Sequence, residues 1–386
     1  MTKNIETLCV HPEGEGDCHT HFGSLSYPIY QTATFAHPGV GQSTGYDYTR
    51  TQNPTREHLE KSIARLEHGV DALAFSTGMA AVSLLMELFE PGDHIISDEG
   101  LYGGSIRLFD HVSKKNGLEI TYLDCSKQDA SLYIKDNTKA IYIETPSNPM
   151  MNICDIEEYS KICKKYNLLL IVDNTFLTPY LQNPIDLGAD IVVHSGTKYL
   201  GGHNDTLAGF LISKDKEIAA KLRFLNNTTG ANLSPIDSWL ITRGIKTLAI
   251  RMDRSEENAK KIVEWLQSQD SVKEVLYPGI KTHPGYGIMK KQARGFGSMV
   301  TFQVKSGEFA KKVLSHLEVI AYAESLGGVE SLMTYPCTQT HADVPEADRI
   351  RMGITDCTLR LSVGIENVDD LINDLKQAFE KGCAQK

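Results

Sequence analysis

The chain has 386 residues, of which 41% are apolar and 23% charged, and it carries a formal net charge of −10. That length allows a large core and suits two or three domains, in a composition ordinary for a soluble globular protein. The acidic balance, with no block of Lys or Arg, argues against a nucleic-acid surface, and no uninterrupted apolar run approaches the roughly 20 residues that span a bilayer.

The opening Met1-Thr2-Lys3-Asn4-Ile5-Glu6 lacks the apolar segment of a signal peptide. The cysteines are Cys9, Cys18, Cys125, Cys154, Cys163, Cys337, Cys357 and Cys383, and no two form Cys-x-x-Cys. Such scattered thiols read as the reduced cysteines of a cytoplasmic protein rather than as a disulfide framework or a zinc site.

Residues 1–57 are rich in Gly, His, Thr and Tyr without sustained periodicity, which suggests an extended arm lying on another subunit. From Glu57 to Leu66 the pattern turns helical. Asp71–Phe75 reads as a strand, Gly78–Leu88 as a helix broken by Pro91-Gly92, and His94–Ser97 as the next strand. Helix Ser105–Asn116 and strands Glu119–Leu123 and Ala140–Glu144 follow, then helix Ile156–Tyr166, strand Leu168–Val172 and strand Ala189–Val193. Alternating strands and helices imply right-handed crossovers and a mainly parallel α/β sheet over residues 58–245. Arg251–Ser268 is a long amphipathic helix with Ala259, Ile262, Val263 and Leu266 on one face. Strands Ser298–Val304 and Leu359–Val363, with helices Glu308–Leu317 and Asp369–Glu380, make residues 246–386 a smaller α+β domain.

The most informative residue is Lys198, in His194-Ser195-Gly196-Thr197-Lys198-Tyr199, just after the Ala189–Val193 strand. A lysine after a strand is by itself an ordinary surface residue; its neighbours set this one apart. Asp173 ends the Leu168–Val172 strand. Ser76-Thr77-Gly78-Met79-Ala80-Ala81 opens a helix after another strand, and its free N–H groups can hold a phosphate. An amine for a Schiff base, phosphate ligands and a carboxylate for a ring nitrogen are what pyridoxal phosphate (PLP) requires. All three are predicted at the carboxyl edge of the sheet, where ligands of open α/β folds collect. Tyr102, between glycines after a strand, offers a face for a flat ring. Glu144 ends a neighbouring strand, and Asn148 beyond it can bond a phenolic oxygen. Gly39-Val40-Gly41-Gln42-Ser43-Thr44-Gly45 has the wrong spacing for a dinucleotide loop and no strand before it. His194 and His203 are nine apart, unlike a zinc-ligand pair, so no metal is expected.

These segments resemble the Cys/Met-metabolism family of PLP enzymes, the group of cystathionine γ-synthases and cystathionine γ- and β-lyases. The resemblance covers nearly the whole chain. It is carried by Pro28–Phe35, Tyr48–Thr55, Ser76–Ala81, Tyr102-Gly103-Gly104, Asp173-Asn174-Thr175, Ser195–Tyr199, Ala323–Ser331 and Leu359–Glu366. It implies an aspartate-aminotransferase-like fold (PLP fold type I) and a homotetramer of two dimers. It implies Lys198 as the Schiff-base lysine, Asp173 on the pyridine nitrogen and Tyr102 stacked on the ring. Gly78, Met79, Ser195 and Thr197 would hold the phosphate, with Thr175 and Asn148 among the cofactor contacts. Tyr48 and Arg50 match a pair donated to a neighbouring subunit's phosphate. Arg360 matches the clamp on the substrate carboxylate, a task suited to a planar bidentate donor, with Ser325 and Asn148 beside the substrate.

The reaction divides on few residues. Glu324 resembles the γ-acting members. The cysteine that marks methionine γ-lyases would fall at Gly104. Thr334–Asp343 instead resembles some bacterial β-lyases. Weighting Glu324 gives α,γ-elimination of L-cystathionine. A γ-synthase is the alternative, then a β-lyase, and a non-catalytic binding protein is remote because Lys198, Asp173 and Arg360 are all present.

Overall fold

The computed structural model describes residues 3–11 and 21–383. Cys18 and the signal-peptide reading of Met1 and Thr2 lie outside the described residues, as do residues 12–20 of the arm and the last three residues of the chain. Seven strands form the first sheet: β1 (Asp71–Phe75), β2 (His94–Asp98), β3 (Glu119–Leu123), β4 (Thr138–Glu144), β5 (Leu169–Asp173), β6 (Ile191–Ser195) and β7 (Gly209–Ser213). Their order is β1-β7-β6-β5-β4-β2-β3. β7 runs antiparallel to both neighbours, and every other pairing is parallel.

The inner strands of this sheet are buried on both faces, which explains their near-continuous apolar runs, while edge strand β3 buries only Leu123. Ile141, Ile143, Leu170, Val172 and Val192 enter one core, while Ala140, Tyr142, Ile171, Ile191 and Val193 enter the other. The period-2 alternation therefore puts Asp173 and Ser195 on the same face as Val193, at the carboxyl edge.

The helices start where capping chemistry puts them. Asn53 caps Pro54–Leu66 by accepting from the Thr55 N–H, with Pro54 in the first turn. Thr77 caps Gly78–Met86, and Asp155 caps Ile156–Tyr166, which ends on left-handed Asn167. The predicted helix Ser105–Asn116 is an α-helix over Gly103–Leu108 that widens into a π-helical turn at Phe109–Ser113. The wider turn brings Phe109 and Ser113 to the same buried side.

A second sheet of five strands comprises β8 (Val272–Leu276), β9 (Met299–Val304), β10 (Ala321–Tyr322), β11 (Leu332–Thr334) and β12 (Thr358–Ser362), in the order β10-β11-β12-β9-β8. Its core is built from Val300, Phe302, Leu359 and Leu361 against the helices Gly307–His316 and Val368–Cys383. The long helix Leu248–Gln267 serves both sheets. Leu248, Ala249 and Met252 pack into the first core; Ala259, Ile262, Val263 and Leu266 pack into the second. Of the arm, residues 21–53 cross the surface with one isolated bridge, Thr34 to Tyr48, and expose Phe22, Leu25 and Val40. No helix among the described residues is long and apolar enough to cross a membrane.

The start of β7 fixes the turn before the Gly78 helix. A Cβ at Gly209 would run into the Thr77 carbonyl and the Gly78 Cα, both backbone atoms that cannot step aside. Gly209→Ala should therefore lower unfolding stability by about 1–3 kcal/mol, the range for overpacking. Denaturant titration checks it, and an unchanged midpoint would mean the turn yields freely.

Candidate active site

The carboxyl edge of the first sheet faces the loops of the second across a cleft of about 350 Å³. Lys198 enters it from the turn after β6. Burial pushes its ammonium down to about 8; the charge of Arg360 adds to the effect, and Glu324 opposes it. Its Nζ donates to Ser325 Oγ at 3.1 Å. Ser325 holds φ of +100°, a conformation costly for a residue with a side chain. That twist lets one residue present two groups: its hydroxyl to Lys198 and its carbonyl to Arg360 Nη2, at 3.0 Å.

Asp173 lies at the end of β5, where its Oδ1 accepts from the Thr175 N–H at 3.0 Å. Burial raises its carboxyl above the ordinary range, and the Thr175 hydrogen bonds oppose this. The Thr175 hydroxyl, which also faces Asp173, accepts from the Ser195 N–H at 2.9 Å. One threonine thus ties the ends of β5 and β6, and so the positions of Asp173 and the Lys198 turn.

Across the cleft, Thr77 takes up the Ala80 N–H at 2.9 Å, leaving those of Gly78 and Met79 at the cavity they line. A Cβ at Gly78 would stand 3.1 Å from Ser195 Cβ, so glycine keeps open a small cradle between helix start and strand end. The Thr197 hydroxyl also lines this end, but it donates to the Ala208 carbonyl (3.2 Å) and accepts from the Ala208 N–H (3.1 Å).

Arg360 projects from the middle of β12, only 1% exposed. It donates from Nη1 to Asn148 Oδ1 at 2.8 Å and from Nη2 to Thr334 Oγ1 at 3.1 Å, besides the Ser325 carbonyl. Its Nε is buried without a partner. Burial lowers it to about 10, which leaves it cationic at neutral pH. All its acceptors are neutral, so among the described residues it has no carboxylate partner within ion-pair distance.

Tyr102 and Asn148 line the cleft on one side, and exposed Glu324 stands at its rim. Glu324 and Ser325 also border an adjoining open basin with Asp205 and Leu207. Of the residues singled out from the sequence, only Tyr48 and Arg50 do not line this cleft. Arg50 bonds the carbonyl and side chain of Asn227, its own carbonyl accepts from Asn232, and its guanidinium lies over the Tyr48 ring. Sequence reasoning missed Thr334 and Thr340. Thr334 meets Arg360 only through the β11–β12 register, and Thr340 reaches the cleft from a loop, so neither left a local signal.

The family model for Cys/Met metabolism PLP-dependent enzymes matches residues 6–380. The chain belongs to that family. A cystathionine β-lyase of Lactococcus lactis subsp. cremoris is 48% identical over 379 residues, covering 98% of this chain and 99% of that protein. A cystathionine γ-synthase of Haemophilus influenzae is 48% identical over 377 residues, covering 97% of each. Among solved structures, a cystathionine γ-lyase from Lactobacillus plantarum complexed with L-serine matches with a TM-score of 0.95 at 42% identity, covering 99% of this chain and all of that one. This Cys/Met-metabolism enzyme is thus a PLP-dependent carbon–sulfur lyase or synthase of the α/β class, acting on a small amino-acid substrate. The cleft's donor set fits the cofactor: two backbone N–H groups and a cradle for a phosphate, an amine for an aldehyde, and a carboxylate for a ring nitrogen.

The pH behaviour of Lys198 can be measured directly. With a value of about 8, roughly a tenth of it is neutral at pH 7, against well under one in a thousand for an ordinary lysine. The rate at which cofactor-free protein turns yellow on adding PLP should rise about tenfold per unit below pH 8 and level off above it. In Arg360→Ala the break should move to higher pH, because a neighbouring positive charge is gone. A wild-type rate still climbing at pH 10 would make Lys198 an ordinary lysine.

Proposed function

We propose that this enzyme catalyses α,γ-elimination of L-cystathionine, as a cystathionine γ-lyase. The observation that carries the reading is Glu324. Its carboxylate stands at the rim of the cleft, close enough to raise the basicity of both Lys198 and Arg360. γ-Elimination demands two successive proton removals, at the α- and then the β-carbon, where β-elimination demands one. An anion that restores basicity to a desolvated lysine favours the longer sequence.

When bound, PLP supplies an electron sink for negative charge developing on the substrate carbons. In this reading Lys198 would hold the cofactor through its aldehyde, and its amine would take the α-proton, give that proton up, and only then take the β-proton. Asp173 would pair with the ring nitrogen, Tyr102 would stack on the ring, and Asn148 and Thr175 would complete its surroundings. The Gly78 and Met79 N–H groups, Ser195 and Thr197 would take the phosphate. For Thr197 this means turning its proton from Ala208. Arg360 receives the substrate α-carboxylate, whose negative charge offsets a cation otherwise left among neutral acceptors, and Ser325 lies beside it. Tyr48 and Arg50 reach the phosphate of a neighbouring subunit, in a homotetramer of paired dimers located in the cytoplasm.

Purified enzyme given cystathionine alone should yield 2-oxobutanoate and cysteine. Glu324→Ala should lower the ratio of 2-oxobutanoate to pyruvate about tenfold, a change of about 1.4 kcal/mol between competing barriers, with cofactor content unchanged. Pyruvate and homocysteine from the wild type would mean a β-lyase. Inertness until an activated homoserine ester and cysteine are both supplied would mean a γ-synthase.

The shared-site part of the reading has its own test. Arg50→Ala and Lys198→Ala chains, each inactive alone, should regain part of the activity when mixed, since one hybrid site then carries both native residues. Absence of rescue despite proven subunit exchange would assign the arm to its own subunit.

A further inference from the structure

Three carboxyl groups end three adjacent parallel strands: Asp98 on β2, Glu144 on β4 and Asp173 on β5. Asp98 is occupied locally, accepting from the Cys125 N–H at 3.2 Å. Asp173 has its place in the reading above. Glu144 has none, yet it lines the cleft while only 4% exposed.

Its Oε2 accepts the backbone N–H of Tyr102 at 2.8 Å. On the other side of the residue, the Tyr102 carbonyl accepts the Ser105 N–H at 2.8 Å. Tyr102 makes no side-chain cap hydrogen bond to the helix it begins, and it is 42% exposed. Its ring lies against Gly104, where a Cβ would collide with it. A second rung, Asn148 N–H to the Gly100 carbonyl at 3.2 Å, joins the same two loops. The loop that begins at Glu144 therefore holds Tyr102 at one end and, through Asn148, Arg360 at the other.

We propose that Glu144 is a positioning residue: by accepting the Tyr102 N–H it sets where the Tyr102 ring lies across the cleft, and so how that ring stacks on bound PLP. The inference rests on Tyr102 being the stacking residue. The register places Glu144 directly opposite Asp173 on the neighbouring strand, and two buried carboxyls so placed each disfavour the other's ionisation. Burial, with Asp173 adding to it, raises Glu144 well above the usual carboxylate range. Arg360 works the other way from farther off. A neutral carboxyl accepts an N–H through its carbonyl oxygen as an amide does. The device therefore needs an acceptor at this spot and no charge.

That distinction sets the experiment. Cofactor-free Glu144→Gln, Glu144→Leu, Tyr102→Ala and the Tyr102→Ala/Glu144→Leu double variant are titrated with PLP. The dissociation constant is read from visible absorbance and the ring environment from the induced visible circular dichroism, with far-ultraviolet spectra to check folding. Glu144→Gln should bind within about threefold of the wild type with the same dichroic band. Glu144→Leu leaves the Tyr102 N–H without its acceptor, so it should bind about tenfold more weakly, with a band moved toward that of Tyr102→Ala. In the Tyr102→Ala background the leucine should add less than about threefold. Unchanged binding and band in Glu144→Leu would overturn the proposal, as would a glutamine variant as impaired as the leucine one, or a full tenfold loss without the Tyr102 ring. Should the leucine variant not fold, Glu144→Asp decides, because its shorter reach withdraws the oxygen from Tyr102; an unchanged band there also overturns it. A Tyr102→Ala band identical to the wild type would instead sink the stacking role, and the inference with it.

Discussion

A buried guanidinium with only neutral acceptors is the constraint on which the site depends. Removing a cation from water costs several kcal/mol unless an opposite charge accompanies it, and Arg360 has Asn148, Thr334 and the Ser325 carbonyl in place of a carboxylate. The protein holds the charge by geometry. β12 supplies the strand, β11 the threonine in register, the loop after β4 the amide, and the loop after β10 a carbonyl made available by a strained backbone. The same charge lowers the lysine across the cleft. A substrate carboxylate entering beside Arg360 would relieve both effects together, stabilising the cation and easing the field on the amine.

The parallel sheet does the rest of the placing. Strands that run the same way deliver their last residues to one edge, so Asp98, Glu144, Asp173 and Ser195 arrive together from sequence positions almost a hundred residues apart. The edge would be crowded with acid if each were ionised. Burial raises all three carboxyls, and the division of labour follows from local donors: Asp173 has the Thr175 N–H and hydroxyl, and Glu144 has one backbone N–H.

Much of this was legible in the sequence because the chemistry is local. Ser195, Thr197 and Lys198 sit within four residues, and Thr77 with Gly78 forms a helix start readable from capping rules alone. The first six strands announced themselves as apolar runs. β7 did not, because Gly209-Phe210-Leu211-Ile212-Ser213 is short and opens on a glycine needed for close approach to Thr77. β8, Val272-Lys273-Glu274-Val275-Leu276, was hidden by the charges it shows to solvent. Contacts made through register were hidden more deeply. Thr334 bonding Arg360 and Tyr102 resting on Glu144 join residues 26 and 42 positions apart through backbone geometry that no periodicity encodes. Asn148 was expected at a phenolic oxygen; in the structure its Oδ1 accepts from Arg360 Nη1.

The helix Leu248–Gln267 also limits how the molecule can move. Its first turns are embedded under one sheet and its last turns under the other, so it acts as a common axle rather than a hinge. The two halves cannot open like a book without tearing one end from its packing. The front of the cleft is bordered by loops instead: the twisted Ser325 loop, and the Thr340 segment whose carbonyl stands over the Gly103 turn.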